Sequence, residues 1–172
     1  MKEKICELEK MRGLKISPEN VIIGNGSKSL LFGLMALKGK GGVVSPLPAY
    51  PPMLLQPGLN GFRSETFSTL DTEGVITDDQ LKTADVENGM MIFSSPANPS
   101  GKVVSREEQE RLLKWADKRN NLLVADEVYC DFVFDEGFSS LGAVRQDLEN
   151  IAIVRSFSKT LGICGWRMGY VI

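Results

Sequence analysis

IAIVRSFSKTLGICGWRMG, residues 151–169, joins an apolar run to a lysine, two spaced glycines and an arginine. Ile151 to Val154 reads as a buried strand. Lys159 follows five residues later, behind Ser156 and Ser158, with Gly162, Gly165 and Arg167 beyond it. An ammonium beside a core strand is costly unless it has a partner or a task.

Other short apolar runs have the same form. Val21-Ile22-Ile23 leads into Gly24-Asn25-Gly26 and a helix from about Ser27 to Leu37. Val43-Val44 ends in Ser45-Pro46, and the alternation from Phe62 to Phe67 predicts a further strand. Met90 to Phe93 ends in Ser94-Ser95-Pro96, and Leu122 to Ala125 ends in Asp126. Thr77 with Gln80, and Ser105 with Glu108, have capping-box spacing and open helices. Leu112, Leu113, Trp115 and Ala116 form the apolar stripe of the second. Strands alternating with helices predict an α/β fold with a mostly parallel sheet covered on both faces. Ligands in such sheets bind outside the carboxyl ends of the strands. Ser45, Ser95, Asp126 and Ser156 are therefore expected to converge.

Composition narrows the chemistry. The 172 residues carry a net charge of −2, with 42% hydrophobic and 24% charged residues, so nothing draws the chain to nucleic acid or acidic membranes. No apolar run approaches the roughly 20 residues of a membrane helix. The N-terminus MKEKICELEK alternates charges and lacks a signal-peptide apolar core. Three cysteines, Cys6, Cys130 and Cys164, have no metal-type spacing. No metal site is predicted, and reduced cytoplasmic thiols are expected. The chain has no histidine, so proton transfer near neutral pH falls to a perturbed lysine, tyrosine, carboxyl or thiol, or to a cofactor.

Each polar segment has two readings. Gly24-Asn25-Gly26-Ser27-Lys28 is either an anion site at a helix N-terminus or a plain tight turn. Arg167 is either a bidentate anion ligand or one half of a surface ion pair. Asp126 is a buried carboxylate in need of a cation, or a cap. Asn98-Pro99-Ser100-Gly101 reads locally as a turn, and Tyr50 within Pro46 to Pro51 as a presented ring or as surface packing.

Together these pieces resemble one family. Gly26-Ser27-Lys28, Tyr50 after Pro48, Asn98-Pro99-x-Gly101, Asp126-x-x-Tyr129, and Ser156-x-Ser158-Lys159 followed by Arg167 have the order and spacing of fold-type I pyridoxal-phosphate enzymes. Among these they look like the class I/II aminotransferases, over about Gly13 to Ile172. The resemblance implies a three-layer α/β/α fold with a seven-stranded sheet, its last strand, Trp166 to Ile172, antiparallel. It implies pyridoxal 5'-phosphate held as a Schiff base by Lys159, which then shuttles the proton. Asp126 would pair with the pyridine nitrogen, and Tyr129 and Asn98 would donate to the ring phenolate. Tyr50 would stack on the ring, and Gly26, Ser27, Lys28, Ser156 and Arg167 would hold the phosphate. Gly162 and Gly165 would let the chain bend closely around it. Trp166 is expected to pack, Cys130 and Cys164 to be small buried hydrophobes, Ser158 a local hydrogen-bond partner, and Glu127 structural or solvated.

The implied substrates are an amino acid and a 2-oxo acid, and the implied assembly is a homodimer. Family members are usually more than twice this long. Residues 1–172 correspond to the cofactor-binding large domain, without the N-terminal arm or the small domain that carries the substrate-carboxylate arginine; neither Arg145 nor Arg155 takes that place. Weak or absent activity of the chain alone is therefore expected. A C–S β-lyase of the same fold and a non-catalytic pyridoxal-phosphate-binding domain remain the alternatives.

Overall fold

Alternation along the strands builds the molecule. The computed structural model describes residues 1–134 and 137–172. Its strands are β1 (Ile22–Gly24), β2 (Val43–Leu47), β3 (Ser64–Ser68), β4 (Met90–Ser94), β5 (Leu122–Asp126), β6 (Ile151–Ser156) and β7 (Gly169–Val171). The helices are α1 (Lys2–Met11), α2 (Gly26–Lys38), α3 (Pro51–Leu59), α4 (Asp78–Thr83), α5 (Arg106–Lys118), α6 (Leu141–Val144) and α7 (Phe157–Thr160). Successive strand side chains point to opposite faces. Met90, Ile92, Val124, Ala152 and Val154 thus pack with Leu31 and Met35 of α2 and Met53 of α3. Met91, Phe93, Leu123, Ala125, Ile151 and Ile153 pack on the other side with Ile5, Leu81, Leu112, Trp115 and Leu141. Two apolar cores with one sheet between them make the three-layer α/β/α arrangement. Both predicted capping boxes form, at Thr77/Gln80 and Ser105/Glu108.

The strand order is β1-β7-β6-β5-β4-β2-β3. Strands β3, β2, β4, β5 and β6 are parallel neighbours, and β7 runs antiparallel to both β6 and β1. Six strands therefore point one way, and their carboxyl ends share an edge. Gly169 faces both Gly24 and Ser156, which brings the turn after β1 beside the end of β6 although they lie far apart in sequence. Only glycine fits there: a Cβ would meet the Arg155 carbonyl oxygen at 2.8 Å and the Ser27 amide at 3.1 Å.

Some expectations fail in detail. The last strand begins at Gly169 rather than Trp166; residues Cys164–Trp166 form a one-turn 3-10 helix, and Arg167 is left-handed with φ 52°. Trp166 is 73% exposed, so it is not a packing anchor within this chain. Cys164 is exposed and Cys130 only half-buried, because both follow strand ends where the core has stopped. Strand β3 starts at Ser64 instead of Phe62, and α1 and α3 have no predicted counterpart.

Candidate functional site

Asp126 closes β5 with its carboxyl on the α2/α3 side of the sheet. It is 3% exposed. The Val128 amide donates to it at 3.3 Å, and it is in none of the ion pairs among the described residues. Burial pushes its pKa up to about 7, the Val128 N–H partly offsets this, and neighbouring Glu127 raises it further. A sealed carboxylate with no cation is expensive.

A cleft of about 150 Å³ opens over Asp126 and is lined by Ser27, Tyr50, Ser94, Asn98, Val128, Tyr129 and Lys159 as well. Four come from carboxyl-end connections: Tyr50 after β2, Asn98 after β4, Tyr129 after β5 and Lys159 after β6. Between β2 and β4 the chain's progression across the sheet reverses, the switch point where such sheets open a crevice. Lys159 lies in the single turn of α7, its Nζ 5.8 Å from the centroid of the Tyr129 ring.

Two positive groups meet at the start of α2, whose Ser27 lines the cleft. Gly26, at φ +75°, opens the 13-residue α2, whose N-cap Asn25 makes no side-chain capping bond. Its first amides are thus open to an anion. The Arg167 guanidinium lies against this terminus: a Cβ on Gly26 would fall 2.4 Å from Arg167 Nη2. Arg167 is held by Nη1 donating to the Cys164 carbonyl at 2.9 Å. A cation at the positive end of a helix dipole is unfavourable unless an anion joins them.

The predicted convergence holds in part. Asp126 faces the cleft, but Ser94 does so in place of Ser95, because Ser94 has the same strand parity as Asp126, its register partner. Ser95 Oγ instead accepts from the Val104 amide at 3.0 Å. Ser45 is buried within β2, outside the cleft. Ser156 caps α7: its Oγ accepts from the Ser158 amide at 3.1 Å and donates to the Met168 carbonyl at 3.4 Å. Lys28 is exposed and off the cleft lining. Gly162 needs its φ of +64°, yet nothing lies within 4 Å of a Cβ there or at Gly165, so neither marks a close approach. Ser94 and Val128 are the lining residues that the sequence reading missed; strand parity counted back from Asp126 would have found Ser94. Glu127 is structural: buried on the other side of the sheet, it pairs with Arg155 at 2.8 Å. Among the described residues no His/Cys/Asp/Glu cluster could hold a metal ion, and no helix is long and apolar enough to cross a membrane.

The comparisons with known proteins agree with this fold. The family model for aminotransferase class I and II matches residues 1–172. An aspartate aminotransferase of Thermotoga maritima is 36% identical over 169 residues, which cover 91% of this chain and 43% of that protein. A crystal structure of aspartate aminotransferase from the same organism superposes with a TM-score of 0.92 at 29% identity, over 99% of this chain and 47% of that one. A pyridoxal-phosphate-bound C–S lyase from Staphylococcus hominis shares the fold, with a TM-score of 0.87 at 22% identity over 99% of this chain and 46% of that one. The chain spans less than half the length of these relatives. It belongs to the class I and II aminotransferase family.

Proposed function

We propose that residues 1–172 form the pyridoxal-phosphate-binding domain of an aminotransferase that moves an amino group from an amino acid to a 2-oxo acid. One observation carries the reading: a buried carboxylate without a cation, a lysine amine and Ser27 of the α2 N-terminus line one cleft, and the Arg167 guanidinium lies against that same helix end. Asp126 fits a protonated pyridine nitrogen, and Arg167 with the Gly26-Ser27-Lys28 amides fits a phosphate dianion. When bound, pyridoxal phosphate supplies an aldehyde for amines and a ring that takes up the electron pair left by a departing Cα proton.

The chain's own residues do the rest. Lys159 Nζ is the amine for the aldehyde and, once displaced, takes a proton from a substrate carbon and returns it. Asp126 would pair with the pyridine nitrogen and so keep that nitrogen protonated. Tyr129 and Asn98 would donate hydrogen bonds to the ring oxygen, and Tyr50 would cover a ring face. Ser156 acts indirectly by capping the turn of Lys159. The cytoplasm suits three free thiols, and a homodimer would cover Phe32, Leu37, Leu55 and Leu59, all exposed on α2 and α3.

Absorbance spectra with pyridoxal phosphate, before and after borohydride, test this, with mass mapping of the modified residue. A reducible visible band mapping to Lys159, absent in Lys159→Ala, is expected; no band would overturn the reading. Asp126→Ala should keep the adduct and lose Cα-proton exchange. Incubation with cystathionine, against an amino acid plus 2-oxoglutarate, separates β-elimination from transamination by pyruvate against glutamate.

A further inference from the structure

The four residues of α7 cannot hold themselves in place, since one helical turn has little stability of its own. The anchor is next to Lys159. Thr160 Oγ1 donates to Asp131 Oδ2 at 2.7 Å. Both Asp131 oxygens accept from Arg12 Nη2 at 2.8 Å. Arg12 reaches over from just past α1, where its Nη1 contacts Glu9 Oε1 at 2.5 Å. Glu9 is fully buried and is held by Arg155 Nη2 at 3.0 Å and by the Tyr170 hydroxyl at 2.6 Å. A continuous polar chain thus runs from the sheet core through Arg12 and Asp131 to the residue after Lys159. Burial alone would raise the Asp131 pKa, but the Thr160 hydroxyl and the Arg12 guanidinium bring it below the ordinary carboxylate value.

We propose that Arg12, Asp131 and Thr160 form a latch that positions the Lys159 amine over the cleft. They are positioning residues, since none of them lines the cleft. The functional consequence rests on Lys159 being the reacting amine, where a small misplacement is costly in rate. The latch itself does not depend on that reading.

Native-state hydrogen exchange of the cofactor-free chain tests it. The Leu161 and Gly162 amides donate to the Phe157 and Lys159 carbonyls. In Thr160→Val and in Asp131→Asn these two amides are expected to exchange about tenfold faster, the scale of one lost hydrogen bond to a charged group. The double variant should be no faster than either single one. Thr160→Ser, which keeps the hydroxyl, should restore the wild-type rate, and the Val124 and Ile153 amides should not change. As a second readout, the rate at which a small activated ester acylates Lys159 should change in Thr160→Val and return in Thr160→Ser. Unchanged exchange at Leu161 and Gly162 would overturn the latch, as would equal acceleration of the strand amides. A trapped adduct on wild type with unchanged exchange sinks the latch alone; faster exchange with no adduct sinks the proposed function and leaves the latch.

Discussion

Asp126 and Glu127 are chain neighbours, both sealed from water at the end of β5, and their surroundings differ completely. Glu127 points to the α1/α6 side, where Arg155 pairs with it at 2.8 Å and the Leu141 amide donates at 2.8 Å. Arg155 is shared in turn with Glu9, which also accepts from Tyr170. Asp126 points to the α2/α3 side and receives one local amide at 3.3 Å. A buried charge whose partner is built into the chain is part of the structure. One whose partner is missing marks a place for something else.

The largest test of this contrast breaks the satisfied side. Arg155→Met leaves Glu127 without a cation and Glu9 with Arg12 alone, and should cost about 3–5 kcal/mol in urea unfolding. Asp126→Asn, by contrast, should make the cofactor-free chain more stable at pH 8, because it removes an uncompensated charge. A loss of stability there would erase the distinction between the two carboxylates.

The pH dependence follows with its sign. The folded-state pKa of Asp126, about 7, lies above its unfolded value. Between the two values the folded chain binds more protons than the unfolded one, so stability is highest at low pH in that window and is lost as pH rises toward 7. The slope from this group is at most about 1.4 kcal/mol per pH unit and should flatten above pH 7. Burial raises the Glu127 pKa too, against the pull of Arg155, so the informative quantity is wild type minus Asp126→Asn across pH 5 to 8.

Smaller effects belong to the anion end. Gly26→Ala meets both a φ of +75° and the Arg167 guanidinium. About 1 kcal/mol of stability should go with it, together with competition by inorganic phosphate against cofactor binding. Lys28→Ala should change stability by less than about 0.5 kcal/mol, as expected of an exposed side chain.

Most of the sheet was legible because its strands are apolar runs with clear polar ends, and both capping boxes state their helices directly. The cleft was legible where residues follow strand ends: Tyr50, Asn98, Asp126, Tyr129 and Lys159 all line it. The rest depends on three-dimensional facts that no local pattern carries. Ser94 rather than Ser95 faces the cleft because of register with β5. Ser156 turns to cap α7, and Arg167 reaches Gly26 only because β7 pairs with β1 and β6 at Gly169. No local pattern shows that Arg155 is claimed by Glu9, 146 residues away, and by Glu127.

The central claim is that Asp126 is a buried carboxylate waiting for a cation. Carbon-13 NMR of the labelled Asp126 carboxyl, titrated with and without pyridoxal phosphate, tests it most directly. The expected result is a midpoint near pH 7 without the cofactor, shifting strongly downward once it is bound. A cofactor-free midpoint near the ordinary value of about 3.9, or one that pyridoxal phosphate leaves unmoved, would contradict it.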